Sequence, residues 1–295
     1  MIPAAFDYQR PTALAAATAL LQQHGDDAKL LAGGQSLLPM LKFRLAEPKL
    51  LIDLGRIAEL SGIRQDGNQI VIGAMTTHFD VLTSPLLQRS CPLLAETAAV
   101  IGDQQVRALG TIGGSLIHAD PGADMPAALI ALGATARLVS ASGERTVAVD
   151  DLLVDVLTTS IQPTELLVEI RVPLQVPSQG SAYEKFPSPA SRFAVVGVAA
   201  VVGIENDKVT SASIGLTGGA GRAQRLAGVE NALVGQITGA VADATAHASD
   251  GWVPNEDLDA SAEYRQHLAR VHVRRALERA ISVAGGKAAP RFGFL

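Results

Sequence analysis

Cys91 is the only cysteine in the 295 residues of the chain. That scarcity removes several functions at once, because one thiol builds no internal disulfide, no Cys-rich zinc site and no iron–sulfur cluster. Any such chemistry has to come from another polypeptide. In "RSCPLLAE" the cysteine stands just before an apolar helical pattern, the setting of a buried structural thiol rather than a nucleophile. Also missing is an apolar run near the roughly 20 residues that span a bilayer. Charges or turn residues interrupt even "FAVVGVAAVVGIEND". The opening "MIPAAFDYQRP" lacks the basic and apolar regions of a secretory signal. The chain is therefore expected in the cytoplasm. No long basic run occurs, and 24 Lys and Arg against 29 Asp and Glu leave a net charge of -5, which argues against nucleic acid. The one basic cluster, "RVHVRRALER" at 270–279, falls on a helical pattern and reads as a solvated face or subunit contact. Nucleotide fingerprints are absent too: no G-x-G-x-x-G opens a helix, and Gly286-Lys287 lacks the upstream glycine of a Walker A loop. No Ser-His-Asp or paired-carboxylate constellation stands out, and the six histidines are scattered.

What the chain does have is an apolar-rich composition, 48% hydrophobic against 18% charged, and a length that suggests two domains. Residues 11–24 read as a helix, "AKLLA" as a strand, the stretch after Gly34 as a helix through Leu45, and "KLLIDL" as a strand. That sequence of elements is a small parallel βαβ unit over about 1–55. Hairpins follow around Asp66-Gly67 and Ser142-Gly143, with helices at 76–83, 92–101 and 124–132 and a closing strand "ELLVEIRVP". "PLQVPSQGS", 173–181, reads as a linker, which divides the chain into domains 1–177 and 178–295. Beyond it "YEKF", "FAVVGVAAVVGIE" and "KVTSASIGLTGG" read as strands, and 223–234, 236–248 and 261–284 as helices.

Two glycine segments share a plan. "LAGGQS" and "TIGGSL" each carry Gly-Gly and a polar residue after an apolar approach. Glycines let successive backbone N–H groups turn toward one point, and Ser36, Thr111 and Ser115 add hydroxyl donors, so two such loops suit a diphosphate. A metal at His118, Asp120 and Asp124 in "HADPGAD" is the weaker reading, since Pro121 and Gly122 make a turn and Asp124 is placed to cap a helix. Each Gly-Gly taken alone also fits a strained turn or close packing.

"LAGGQSLLPMLKFRLAEPKLLIDL", "IGAMTTH", "LGTIGGSLIHADPGADMPA" and "YEKFPSPASRFAVVGVAA", in that order, resemble the FAD-binding medium subunit of the aerobic molybdenum carbon monoxide dehydrogenase and xanthine oxidase family of molybdenum hydroxylases. The resemblance spans essentially the whole chain. It implies an α+β fold in two domains: an FAD-binding fold of the vanillyl-alcohol oxidase and p-cresol methylhydroxylase type, its mixed and antiparallel part at about 56–177, then a domain with a three-stranded antiparallel sheet and helices. It implies noncovalent FAD here, with molybdopterin in a large partner subunit and two [2Fe-2S] clusters in a small one, usually as a dimer of heterotrimers. Electrons would pass from the clusters to FAD and on to an external acceptor, the substrate being oxidised in another chain. By the resemblance, Ala32, Gly33, Gly34, Gln35 and Ser36 match the first FAD loop, and Thr111, Gly113, Gly114 and Ser115 the second. Asp124 matches an acid on the ribose side, Lys185 a lysine near the pyrimidine edge of the flavin, and Phe193 a residue shielding one flavin face. Without the resemblance, Lys185 reads as a surface lysine and Phe193 as a core aromatic. Phe193 stands where the carbon monoxide dehydrogenase type carries tyrosine, and Gln35 where it tends to carry histidine, two departures that argue against carbon monoxide as substrate. A freestanding FAD oxidoreductase of the same fold and a noncatalytic scaffold subunit are the alternative functions.

Overall fold

The computed structural model describes residues 2–289. Along the chain the first lobe comprises β1 (Asp7–Gln9), α1 (Leu14–His24), β2 (Ala28–Leu31), α2 (Leu37–Lys42) and β3 (Leu50–Asp53). Its three strands lie in the order β1-β3-β2, all parallel. The expected βαβ unit is there, with α2 as the crossover between β2 and β3. α2 stops at Lys42 rather than Leu45, because Arg44 turns into the left-handed region at φ 57°.

The second lobe opens with the hairpin β4 (Ile63–Asp66) and β5 (Gln69–Gly73). Six short helices follow: α3 (His78–Thr83), α4 (Pro85–Ser90), α5 (Pro92–Ala99), α6 (Gln104–Leu109), α7 (Ile112–His118) and α8 (Asp124–Ala131). The lobe closes with β6 (Thr135–Ser140), β7 (Gly143–Ala148), α9 (Val149–Leu152), β8 (Leu153–Asp155), β9 (Thr158–Thr159) and β10 (Leu166–Pro173). The sheet order is β4-β5-β10-β6-β7, with β10 antiparallel to both neighbours. β10 joins the lobes, since Leu166 and Val168 enter the core of the first while Leu167, Ile170 and Val172 enter that of the second. Its Glu169 is buried among Arg64, Arg137 and Arg171.

The third lobe is β11 (Gln179–Pro187), β12 (Ala194–Glu205), β13 (Lys208–Thr217), β14 (Gln224–Arg225), α10 (Ala227–Leu233), α11 (Val241–Ala244) and α12 (Ala262–Ala284). The three expected antiparallel strands are joined by a fourth of two residues, β14. β11 begins four residues before "YEKF", because Gly180 lies flush on α12: a Cβ there would stand 2.0 Å from the Ala280 carbonyl. The expected helix at 236–248 is broken into α11 and flanking 3₁₀ turns at Thr238–Ala240 and Thr245–Ser249. α12 packs its buried face, including Leu268, Val273, Ala276, Leu277 and Ala280, on the sheet. The basic cluster on α12 is only partly solvated: Arg279 turns inward to Glu96 of α5 and Glu184 of β11, clamping the third lobe to the second. Cys91 is fully buried at the start of α5, and burial pushes its thiol pKa up to about 12, the structural role expected of it.

Candidate functional site

A cavity of about 520 Å³ opens where the three lobes meet. Its wall includes Ala32, Gly33, Gly34, Gln35 and Ser36 from the turn between β2 and α2, and Thr111, Gly113, Gly114 and Ser115 at the start of α7. Asp124 and Phe193 complete it, so eleven of the twelve residues singled out in the sequence face one space. Its volume falls within the roughly 300–1,000 Å³ of small-molecule and cofactor sites.

The two glycine segments differ more than their shared pattern suggests. The first is a true loop: Gly34 sits at φ 71°, and its carbonyl accepts from Leu38 N–H at 3.0 Å as α2 begins. Among the described residues no acceptor is found for the backbone N–H groups of Gly33, Gly34, Gln35 and Ser36. Four amides are thus available on the cavity wall, the donor set an anionic diphosphate requires. The second segment is a helix, against the expectation of a loop, and its amides are spent. Ile112 N–H donates to Thr76 O at 3.0 Å, Gly113 N–H to Ala74 O at 2.9 Å, Gly114 N–H to the capping Thr111 Oγ1 at 3.1 Å and Ser115 N–H to Thr111 O at 3.0 Å. From this segment only the Thr111 and Ser115 hydroxyls remain as donors.

Close backbone approach explains the glycines. A Cβ on Gly33 would lie 2.0 Å from Leu109 O, and one on Gly113 2.6 Å from Ala74 O. The segment "AMTTH" is the rail between them: it runs antiparallel to 110–113, with a Thr77–Thr111 bridge and His78 N–H donating to Gly110 O at 2.9 Å. The first loop therefore seats on the entrance to α7, and α7 seats on residues 74–78.

Asp124 is not the helix cap its position suggested. It is the first residue of α8, 4% exposed, and the capping position belongs to Ala123, which has no side-chain donor or acceptor to give. Both carboxylate oxygens are taken: Tyr183 Oη donates to Oδ1 at 2.7 Å and Lys185 Nζ to Oδ2 at 2.8 Å. Burial pushes the Asp124 carboxyl up, against Lys185 and these hydrogen bonds; burial, then Asp124, hold the Tyr183 hydroxyl well above its ordinary range. Lys185 Nζ also donates to Val100 O at 3.0 Å. The lysine is therefore not a surface residue, and it does not line the cavity. It stands behind Asp124 with its side chain 5% exposed. Tyr183 escaped sequence reading altogether, although it sits two residues before Lys185 on the same face of β11.

The third lobe holds up the turn that leads to Asp124. Thr217 Oγ1 donates to Ala123 O at 2.8 Å and Pro121 O at 2.9 Å, Gly218 N–H to Pro121 O and Ala194 N–H to Gly122 O. Asp120 Oδ1 accepts from Gly122 N–H at 2.8 Å, a turn role. Among the described residues no group of three or more His, Cys, Asp or Glu side chains is placed to hold a metal. Phe193 is an exposed aromatic at the cavity edge, not a core residue, carried on a tip in which Arg192 has φ 61°. His78 and Arg192 are further wall residues that sequence reasoning passed over.

Comparison with known proteins gives two family matches: the FAD binding domain in molybdopterin dehydrogenase over residues 4–175, and the CO dehydrogenase flavoprotein C-terminal domain over 181–280. The carbon monoxide dehydrogenase medium chain of Hydrogenophaga pseudoflava is 44% identical over 284 residues, covering 95% of this chain and 98% of that one. The 6-hydroxypseudooxynicotine dehydrogenase complex subunit alpha of Paenarthrobacter nicotinovorans is 39% identical over 284 residues, covering 95% and 96%. Among solved structures, carbon monoxide dehydrogenase from Hydrogenophaga pseudoflava lacking the Mo-pyranopterin moiety superposes with a TM-score of 0.92 at 45% identity, over 95% of this chain and 98% of that one.

Proposed function

The chain belongs to the FAD-binding medium subunits of the carbon monoxide dehydrogenase and molybdenum hydroxylase family, an oxidoreductase flavoprotein, and from that premise we propose that it is the electron-relay subunit of its complex. Substrate is oxidised at a molybdenum cofactor in a large partner subunit, a small partner subunit carries the electrons through [2Fe-2S] clusters, and they leave through this subunit to an external acceptor. The whole is a dimer of heterotrimers. FAD, when bound, supplies the centre that accepts and donates two electrons.

The observation that carries the reading is the set of four unpartnered loop amides, Gly33 to Ser36, on a cavity of cofactor size. They hold the FAD diphosphate, with the Thr111 and Ser115 hydroxyls as the second segment's contribution. Phe193 offers its ring as a stacking face for the flavin. Asp124 faces the ribose side, and Tyr183 and Lys185 fix its two oxygens so that the wall carries one oriented acceptor rather than a mobile charge. We assign residues 1–177 to the FAD domain and 178–295 to a second domain, whose Ala194, Thr217 and Gly218 hold the Asp124 turn.

Substrate choice belongs to the large subunit, a reading supported by relatives whose names carry carbon monoxide in one case and 6-hydroxypseudooxynicotine in another. No helix among the described residues is long and apolar enough to cross a membrane. Native mass spectrometry of the complex from its own host tests the proposal. FAD with a large and a small partner chain is the expected result. The chain alone with FAD would replace the relay by a freestanding flavoenzyme, and absence of FAD would overturn the reading of the loop.

A further inference from the structure

His78 is a cavity residue left without a partner. It opens α3 under a capping box from Thr77 and Asp80, and its N–H donates to Gly110 O at 2.9 Å. Both contacts fix its backbone beside the entrance to α7. His78 lines the cavity, yet it is only 4% exposed. Its ring lies at the seam of the two glycine segments: a Cβ on Gly110 would stand 3.1 Å from His78 Cδ2 and 3.5 Å from Gln35 Cγ. One point of backbone thus touches both the imidazole and the first loop. Nδ1 is buried without a hydrogen-bond partner, and among the described residues none is found for Nε2 either.

Buried polar groups in folded proteins nearly always have partners, and an orphan beside a ligand cavity calls for one from the ligand. Burial, and then the nearby charge of Arg107, lower the His78 pKa to about 4, so the ring is neutral at physiological pH. A neutral imidazole carries one donor and one acceptor nitrogen. Arg107 donates from Nη1 to the carbonyls of Ala99 and Ile101.

We propose that His78 is an additional ligand of the FAD diphosphate, donating a ring N–H to a phosphoryl oxygen at the seam between the two glycine segments. The inference rests on the FAD reading above. The diphosphate is the partner, rather than the flavin ring, because the point beside Gly110 that meets His78 Cδ2 also meets Gln35 Cγ, a residue of the loop that carries the free amides 33–36. Neutrality has a use there: a donor that does not titrate holds its anion equally well on either side of neutrality, where an ordinary histidine would lose its charge.

The test is a titration of the full chain, stripped and reloaded with FAD, reading affinity from flavin fluorescence and fold from circular dichroism. H78F keeps a ring and removes both nitrogens. It is expected to weaken FAD about tenfold, the worth of one hydrogen bond to a charged group. H78Q places an amide nitrogen near the Nε2 position and H78N near Nδ1. One of the two is expected to recover affinity to within about threefold, identifying the donor nitrogen. ADP, which has the diphosphate without the flavin and is read by its competition with FAD, is expected to show the same loss in H78F, and riboflavin none. Wild-type affinity is expected to stay level from about pH 5.5 to 8.5, because the ring is already neutral. A folded H78F that binds FAD within about twofold of wild type would overturn the inference while leaving the FAD reading intact. So would a loss seen with riboflavin but not ADP, or an affinity that falls with a midpoint near the ordinary histidine value. Should H78F fail to fold, equal binding by wild type, H78Q and H78N overturns it. A wild-type chain that takes up no FAD would instead sink the reading on which this one stands.

Discussion

Replacing Gly33 by alanine is the sharpest probe of how the cavity wall is built. The added methyl carbon would stand 2.0 Å from Leu109 O and 2.7 Å from its carbonyl carbon, both backbone atoms that no rotamer change can move. Ordinary contact begins at 3.4 Å, so the first loop and the entrance to α7 must part by about 1.4 Å at this point. Overpacking of that kind costs roughly 1–3 kcal/mol of stability, which the large cores of the second and third lobes can absorb. Binding suffers more. An amide moved by that distance carries a hydrogen bond of about 2.9 Å beyond 4 Å, where nothing of it remains. Each bond to a charged oxygen is worth roughly 1.5–3 kcal/mol, so losing two of the four loop amides raises the FAD dissociation constant about 100-fold or more. Flavin fluorescence gives the affinity and a thermal melt the fold. Gly239→Ala serves as control, because its Cβ would meet only Ile237 Cδ1, at 3.9 Å. A Gly33→Ala protein that folds and binds FAD within about threefold of wild type would refute the seam as the source of the site.

Arg279→Met should cost about 3–5 kcal/mol by denaturant unfolding, because it strips the buried Glu96 and the half-buried Glu184 of their shared cation; adding Glu96→Gln and Glu184→Gln should recover most of that, and purely additive losses would contradict the clamp. Burial alone would raise the Glu169 pKa, but Arg171, Arg64 and Arg137 outweigh it and hold the carboxyl below its ordinary 4.5. The stabilisation is therefore complete above that value and is lost as pH falls through the folded-state pKa, so the stability gap between wild type and Glu169→Gln should be full at neutral pH and shrink in acid. A gap that stays constant through acid denaturation would count against the three-arginine cluster. Cys91, with its thiol near 12, should resist a thiol reagent in the native protein at about pH 8 and react once the chain is unfolded; rapid native labelling would contradict its burial.

Local signals were enough for the βαβ start, the two hairpins, the long strands β12 and β13 and the helix α12, since each follows from a period or a turn residue close by in sequence. α7 was hidden because two adjacent glycines cost roughly 1 kcal/mol each in a helix. It forms because Thr111 caps it and residues 74–76 take its first amides, contacts some 35 positions away in the chain. β1 was illegible for a related reason: three exposed residues with no alternation are a strand only because β3 runs parallel beside them. In the site, residue types identified the first loop, whose amides are free. They could not show that Asp124, Tyr183 and Lys185 form one buried group, because the link joins α8 to β11 across the lobe boundary.

The missing side chains of Gly33 and Gly113 serve the seam, not a ligand. Gly33 lets the first loop lie against Leu109, and Gly113 lets α7 lie against Ala74; neither gap is left for a cofactor atom, since the facing atoms belong to the protein. On the proposed reading, ligand contact falls to what the seam leaves over, the amides of 33–36, two hydroxyls and His78. A motif of this kind specifies a cofactor through the way the chain mates with itself, and it carries nothing about what the complex oxidises. That is why proteins named for carbon monoxide and for 6-hydroxypseudooxynicotine can each match about 95% of this chain. It also sets the direction for any attempt to change the acceptor: the seam must stay closed, and the residues free to vary are exposed cavity residues outside it, Arg192 and Phe193.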